Sequence, residues 1–245
     1  MRRVTRESSR QVAILAGGLA TRMRPRTLTV PKAMLEVAGR PFVDWQLEAL
    51  ARCKIDDVVF CIAHLGDQIR AHVGDGRRFG LSVRYSVEGP KLLGTAGALR
   101  AALPLLEPAF VVTYGDSYLP FDYSALLDEL AAAGSECDGV MSIFKNDGKW
   151  DASNVRVDGA KEWVLAYEKG TKDPAYDHID YGALALRRSI IAALPADQVR
   201  GLEAIQASLA AQHRLKAHVA PERFYEIGSH EGLAALESYL RQRRT

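Results

Sequence analysis

The chain has 245 residues, 48 % of them apolar and 25 % charged, with a formal net charge of +2. That composition belongs to a globular protein with a full-sized core rather than to a disordered or fibrous one, and nothing in it suggests a low-complexity tail. So small a net charge gives no global field to hold nucleic acid or an anionic membrane, no run approaches the ~20 apolar residues of a membrane-spanning helix, and Cys53, Cys61 and Cys137 lack metal-ligand spacing and suit a reducing cytosol.

In chain order, residues 1–11 are basic but lead into an apolar stretch that breaks at Gly17 and Gly18, so they read as a loose lead-in rather than a signal peptide. Residues 12–245 are expected to form a single domain. Residues 12–16 are continuously apolar ahead of two glycines, which predicts a first strand buried on both faces. Pro41 opens a helix in which Val43, Leu47 and Leu50 recur at helical spacing. A strand follows at 58–63, a short helix at 65–73, a strand at 81–87, a helix at 97–103 and another buried strand at 110–114. Tyr123, Leu126, Leu127 and Leu130 mark the next helix, and 140–144 returns as a strand. Alternation of this kind predicts an α/β fold: a Rossmann-like, mostly parallel sheet with helices on both faces.

The second half reads differently. Strand-like stretches at 154–157, 163–168 and 179–186 have few helices between them and predict a β-rich extension. Ser229 caps a last helix carrying Leu233, Leu236 and Leu240.

The segment directly after the first strand, residues 16–32, packs Gly17 and Gly18 together with Arg22, Arg24, Arg26 and Lys32. Glycines let main-chain N–H groups approach an anion closely, and the cations neutralise it, so the combination suits a polyphosphate. It matches neither the P-loop nor the G-x-G-x-x-G fingerprint. By composition alone it is equally a surface turn, but open α/β sheets bind ligands at the carboxyl ends of their strands, where this loop stands.

The run from Leu15 to Thr27, followed by Pro31-Lys32, resembles the signature of the sugar nucleotidyltransferases, L-x-G-G-x-G-T-R-L-x-P-x-T with a later P-K. Ala20 replaces the third glycine and Met23 the leucine after the arginine. The resemblance continues in family order over roughly residues 12–240. Leu93-Gly94-Thr95-Ala96-Gly97 is similar to the L-G-T-[AG]-G segment that lines nucleobase and ribose in relatives, and Glu88 stands near the place of a base-reading side chain. Asp116 matches the metal-binding aspartate of a G-D step. Glu226, in FYEIGS, takes the place of the second aspartate in W-x-D-[IV]-G-[ST]. Glu168-Lys169 matches the E-K pair that contacts the sugar and its phosphate. Asp180 stands where relatives carry the asparagine of N-x-G, and Asn154 falls near a missing Y-G.

The resemblance implies a cytoplasmic, Mg²⁺-dependent enzyme that joins a sugar 1-phosphate to a nucleoside triphosphate, with no nucleic-acid or membrane partner and with room for a homodimer. Leu15, Ala16, Gly17, Gly18, Glu88, Gly94, Thr95 and Ala96 would hold the nucleotide; Arg22 and Lys32 would act on the leaving pyrophosphate; Asn154, Glu168, Lys169 and Asp180 would hold the sugar phosphate; Asp116 and Glu226 would hold the metal. A carboxylate at 88 can accept two hydrogens from guanine, which leans the reading to GTP with a heptose or mannose 1-phosphate. UTP or dTTP with a hexose 1-phosphate, and a non-catalytic nucleotide-binding paralogue, are the alternatives. A glycosyltransferase of related fold needs a D-x-D motif, whereas the acid here stands in Gly115-Asp116-Ser117.

Overall fold

Alternate side chains of strand β1 (Gln11–Leu15) feed two separate cores: Val12 and Ile14 point into one, Ala13 into the other. A strand can do this only where both faces of the sheet are covered, which is why its sequence is continuously apolar. The computed structural model describes residues 9–18, 20, 23–89, 91–150, 152–196 and 198–243.

After β1 come a short antiparallel pair, β2 (Glu36–Val37) and β3 (Arg40–Pro41), then α1 (Phe42–Arg52), β4 (Asp57–Ile62), α2 (Gly66–Val73), β5 (Ser82–Val87), α3 (Gly94–Ala101), β6 (Ala109–Tyr114), β7 (Ser117–Tyr118) and α4 (Tyr123–Ala132). The second half adds β8 (Gly139–Lys145), β9 (Val155–Val157), β10 (Val164–Tyr167), β11 (His178–Arg187), α5 (Arg188–Ala192), α6 (Leu202–Ala211), β12 (Leu215–Val219), β13 (Tyr225–Glu226) and α7 (His230–Gln242).

The main sheet runs β5-β4-β1-β6-β11. Its first four strands are parallel, and β11 joins β6 antiparallel. Beyond that, β11 pairs with β8, itself parallel to β12, and with β9, which carries β10. Helices α1, α2 and α4 cover one face through Leu47, Leu50, Ile69, Leu126 and Leu130. The other face is covered by α3 and α6 through Leu99, Leu202, Ile205 and Leu209. The mostly parallel sheet with helices on both faces is the one the alternation predicts. No helix among the described residues is long and apolar enough to cross a membrane.

Several elements depart from the sequence reading, namely β2, β3, β7, α5, α6, β12 and β13. Helix α6 and strand β12 occupy a stretch expected to be poor in helix; the helix keeps apolar spacing at Leu202, Ile205 and Leu209, and β12 alternates Leu215 and Ala217 with Lys216 and His218. Helix α7 starts as expected, with Ser229 Oγ accepting the Gly232 N–H at 3.0 Å. Its Leu236 and Leu240 join Met23, Phe42, Trp45, Tyr118 and Ile227 in a third core, which holds the far end of the chain against the loop after β1.

Candidate active site

The site is built where β1 and β6 end side by side. The Gly115 N–H donates to the Leu15 carbonyl at 2.9 Å, and a Cβ at Gly115 would lie 2.9 Å from that of Ala16, so the close approach requires glycine. A cavity of about 240 Å³ opens there, walled by Leu15, Ala16, Gly17, Gly18, Lys32, Glu88, Gly94, Thr95 and Asp116. Lys32 sits in a tight turn after Pro31, and its Nζ donates to Asp116 Oδ2 at 2.7 Å. Glu88 Oε1 accepts the Leu93 N–H at 3.0 Å, and its other oxygen lies 3.0 Å from where a Cβ on Gly17 would be.

The 93–97 segment is held by a distant partner. The Arg200 N–H donates to the Leu93 carbonyl at 2.8 Å, the Arg200 carbonyl accepts from Ala96 N–H at 3.0 Å, and the Leu202 N–H donates to Thr95 Oγ1 at 2.7 Å. Gly94 has φ +73° and a Cβ there would lie 2.5 Å from the Arg200 carbonyl oxygen, so both its conformation and its neighbour demand glycine.

A second cavity of about 460 Å³ shares Thr95, Tyr114 and Asp116 with the first and continues along Asn154, Tyr167, Lys169, Asp180, Glu203 and Glu226. The two cavities therefore meet at Asp116. Glu226 reaches the same place because β13 pairs antiparallel with β7, setting Glu226 opposite Ser117, while the Ile227 N–H donates to the Asp116 carbonyl at 3.0 Å.

Of the residues singled out in the sequence, most line one cavity or the other. Arg22 lies outside the described residues. Ala96 lines neither cavity: its side chain is in the core and its N–H is taken by Arg200. Glu168 lines neither as well, its carboxylate accepting from the Tyr176 hydroxyl at 3.4 Å, because the turn after β10 sends alternate side chains to opposite sides and leaves Lys169 facing the cavity. Asn154 Oδ1 is occupied by the Asp180 N–H at 2.8 Å. Sequence patterns do not single out Tyr167, Glu203, Gln206 or Arg223, the first two in the cavity wall and the others beside it. Tyr167 adjoins the E-K pair, which is the signal that could have found it; Glu203 and Gln206 lie on α6, the helix the sequence reading does not contain.

Burial pushes the Asp180 carboxyl above its ordinary value, opposed by the Gly182 N–H, the Gln206 amide, the charge of Lys169 and a hydrogen bond from the Tyr167 hydroxyl. Burial likewise raises Tyr114 and Tyr167, so both phenols stay protonated. The Cys61 thiol, also a wall residue, is pushed up to about 12 by burial and is no nucleophile.

Among the described residues no group of three or more His, Cys, Asp and Glu is assembled for a metal ion. The donor set still fits magnesium, which keeps its waters and is commonly held by one or two carboxylates plus substrate phosphates. Asp116 and Glu226 supply two such carboxylates on one cavity wall.

A family model described as nucleotidyl transferase matches residues 11–242. The N-acetylmuramate alpha-1-phosphate uridylyltransferase of Neisseria meningitidis serogroup B is 43 % identical over 184 residues, covering 70 % of this chain and 79 % of that protein. The mannose-1-phosphate guanylyltransferase of Mycobacterium tuberculosis is 30 % identical over 182 residues, 74 % of this chain, which spans 50 % of that longer protein. In fold, the chain is similar to the crystal structure of HddC from Yersinia pseudotuberculosis, with a TM-score of 0.77 and 24 % identity over 94 % of this chain and 99 % of that one.

Proposed function

The chain belongs to the nucleotidyl transferase family, as an enzyme of the sugar-1-phosphate nucleotidyltransferase class, and from that premise we propose that it transfers UMP from UTP to an acidic N-acetylhexosamine 1-phosphate of the N-acetylmuramate kind. The observation that carries this reading is Arg223. Its guanidinium stacks 3.7 Å over the Trp150 ring and 4.5 Å over that of Tyr225, and it has no carboxylate partner among the described residues. Trp150 and Phe224, beside it, line the larger cavity. The Arg223 Nε donates to the Phe224 carbonyl at 3.2 Å, which fixes the guanidinium and leaves its two terminal nitrogens as a preorganised reader of a carboxylate, and N-acetylmuramate carries one on its lactyl ether.

Glu88 bears on the nucleobase. Its Oε1 accepts the Leu93 N–H, and the carboxylate keeps acceptor sites for the N3–H of uracil or for the paired N1–H and N2–H of guanine, so the choice of UTP over GTP with a heptose or mannose phosphate rests on the sugar reading.

The reaction needs no base from the protein, because a phosphate monoester with a second pKa of about 6 is already mostly dianionic near pH 7. A sugar-phosphate oxygen attacks the α-phosphorus, the bond to the bridging oxygen breaks, and pyrophosphate leaves with the electron pair. Asp116 and Glu226 would hold a divalent cation, which would supply charge neutralisation for the phosphates. Main-chain N–H groups at Gly17 and Gly18, together with Arg22 and Lys32, hold the triphosphate tail, and Lys169 holds the sugar phosphate. Positioning and electrostatics therefore supply the rate. Residues 12–245 act on this reading as one catalytic domain in the cytoplasm.

The test is pyrophosphate release from four nucleoside triphosphates against the 1-phosphates of N-acetylmuramate, N-acetylglucosamine, mannose and D-glycero-D-manno-heptose. The expected best pair is UTP with N-acetylmuramate 1-phosphate, and Arg223→Ala should lower the preference for it over N-acetylglucosamine 1-phosphate by ~10-fold or more, the scale of a lost charge-assisted contact. Faster turnover of GTP with mannose or heptose 1-phosphate would overturn the assignment.

A further inference from the structure

The turn that carries Asp116 is held by one buried side chain. Gln46 lies on α1, on the face that otherwise presents Val43, Leu47 and Leu50 to the core, and is only 1 % exposed. Its amide nitrogen donates to the Tyr114 carbonyl at 2.8 Å and to the Ser117 carbonyl at 3.0 Å, the last residue of β6 and the first of β7. Both partners are acceptors, so the amide can sit only one way round. Its Oε1 is buried with no hydrogen-bond partner among the described residues. An orphaned buried acceptor is costly, and a methionine of much the same shape would avoid that cost, so what the amide contributes at this position is its two donors.

We propose that Gln46 is a positioning residue for the two carboxylates at the junction of the cavities. Its N–H groups bridge the carbonyls on either side of Gly115-Asp116 and so fix the direction in which Asp116 leaves the sheet edge. The same contact fixes the start of β7, on which β13 sets Glu226 opposite Ser117. One amide thereby holds both carboxylates at a single separation, while Lys32 holds the Asp116 side chain and the Ile227 N–H its carbonyl. Magnesium demands near-ideal octahedral geometry, so a turn free to twist would misplace the oxygens that have to meet it. The inference rests on the reading of Asp116 and Glu226 as the residues that hold the cation.

The experiment uses the full chain with Mn²⁺ alone, counted by the loss of its free electron paramagnetic resonance signal, and takes pyrophosphate release as a second readout. Gln46→Met, which keeps the shape and removes both donors, should raise the Mn²⁺ Kd ~10-fold or more, the scale of losing an outer contact that orients a metal-holding group. The Mg²⁺ concentration for half-maximal pyrophosphate release should rise by a similar factor, while the KM for UTP at saturating Mg²⁺ stays put. Val43→Ala, a core truncation on the same helix, should lower Tm and leave both metal values unchanged, which separates positioning from mere loss of stability. If Gln46→Met fails to fold, Gln46→Glu, which keeps the shape and has at most one donor, takes its place in every arm. An unchanged Mn²⁺ Kd, or a rise matched by Val43→Ala, overturns the proposal. Asp116→Asn tells the two levels apart. If it binds Mn²⁺ like the unaltered protein, the metal reading itself falls; weaker binding by Asp116→Asn with normal binding by Gln46→Met overturns the positioning role alone.

Discussion

Lys32 Nζ stands 2.7 Å from a carboxylate oxygen of Asp116, although 84 positions separate the two residues. Lys32 is set by the turn after Pro31 and Asp116 by the end of β6, so the ion pair ties the basic loop to the sheet edge. It stands where the two cavities adjoin, and its charges face the region assigned to the reacting phosphates.

Lys32→Met and Asp116→Asn should each lower turnover by ~10²-fold or more, the size of losing one preorganised electrostatic group. Because the two side chains touch, the double variant should lose less than the product of the single losses. Steady-state pyrophosphate release in the four proteins measures this, and strictly multiplicative losses would show that the pair acts on separate steps.

Glu226 replaces an aspartate of the family pattern, and its reach is one methylene longer. Chelation with EDTA should abolish pyrophosphate release and added Mg²⁺ should restore it. Glu226→Ala should demand a ~10-fold to 100-fold higher Mg²⁺ concentration for half-maximal rate, with Glu226→Asp in between, as expected for loss or displacement of one carboxylate near the ion. An unchanged Mg²⁺ requirement in both variants would remove Glu226 from the metal site.

Gly94→Ala combines a left-handed backbone, φ +73°, with a contact 2.5 Å from the Arg200 carbonyl oxygen. At about 1–3 kcal/mol of strain, the Tm should fall by roughly 2–12 °C in a chain of this size. Gly74→Ala, with φ +64° and open space around it, should fall less. The UTP KM should rise only in Gly94→Ala, because the latch between residues 93–97 and 200–202 is what moves. Equal shifts in the two variants would show that backbone strain alone is at work.

Asp180 carries a carboxyl whose pKa is raised in the folded protein, chiefly by burial. A raised folded value means that the native state binds the proton more tightly, so the group favours folding in acid and that advantage is lost as pH climbs from the ordinary carboxylate range through the folded pKa. Asp180→Asn should therefore raise Tm relative to the parent at pH 8 and lose that gain near pH 4. Differential scanning calorimetry at the two values checks the sign, and a gain confined to acid would contradict the burial argument.

Much of the molecule is legible in its residue order. The short apolar run of β1, the helical spacing of Val43, Leu47 and Leu50, and the alternation of strands and helices up to β8 are local patterns, so the parallel sheet with two covered faces follows from them. The loop glycines and Lys32 are legible too, because a polyphosphate demands those residue types close together in sequence. Helix α6 and strand β12 are equally periodic, but they sit among strand-like segments that mask them.

The meeting of Glu226 with Asp116 belongs to another level. It depends on a two-residue strand, β13, pairing with another two-residue strand, β7, and on α7 packing into the third core; pieces that short have no periodicity to read. The same holds for Gln206 against Asp180, for the latch of Arg200 and Leu202 on residues 93–97, and for the clamping of Arg223 between two rings. Residue order determined which strands and helices exist and what chemistry each loop can bring. Only tertiary packing decided which loops share a cavity, because the energy of those encounters comes from contacts between segments far apart in the chain and leaves no trace in either segment alone.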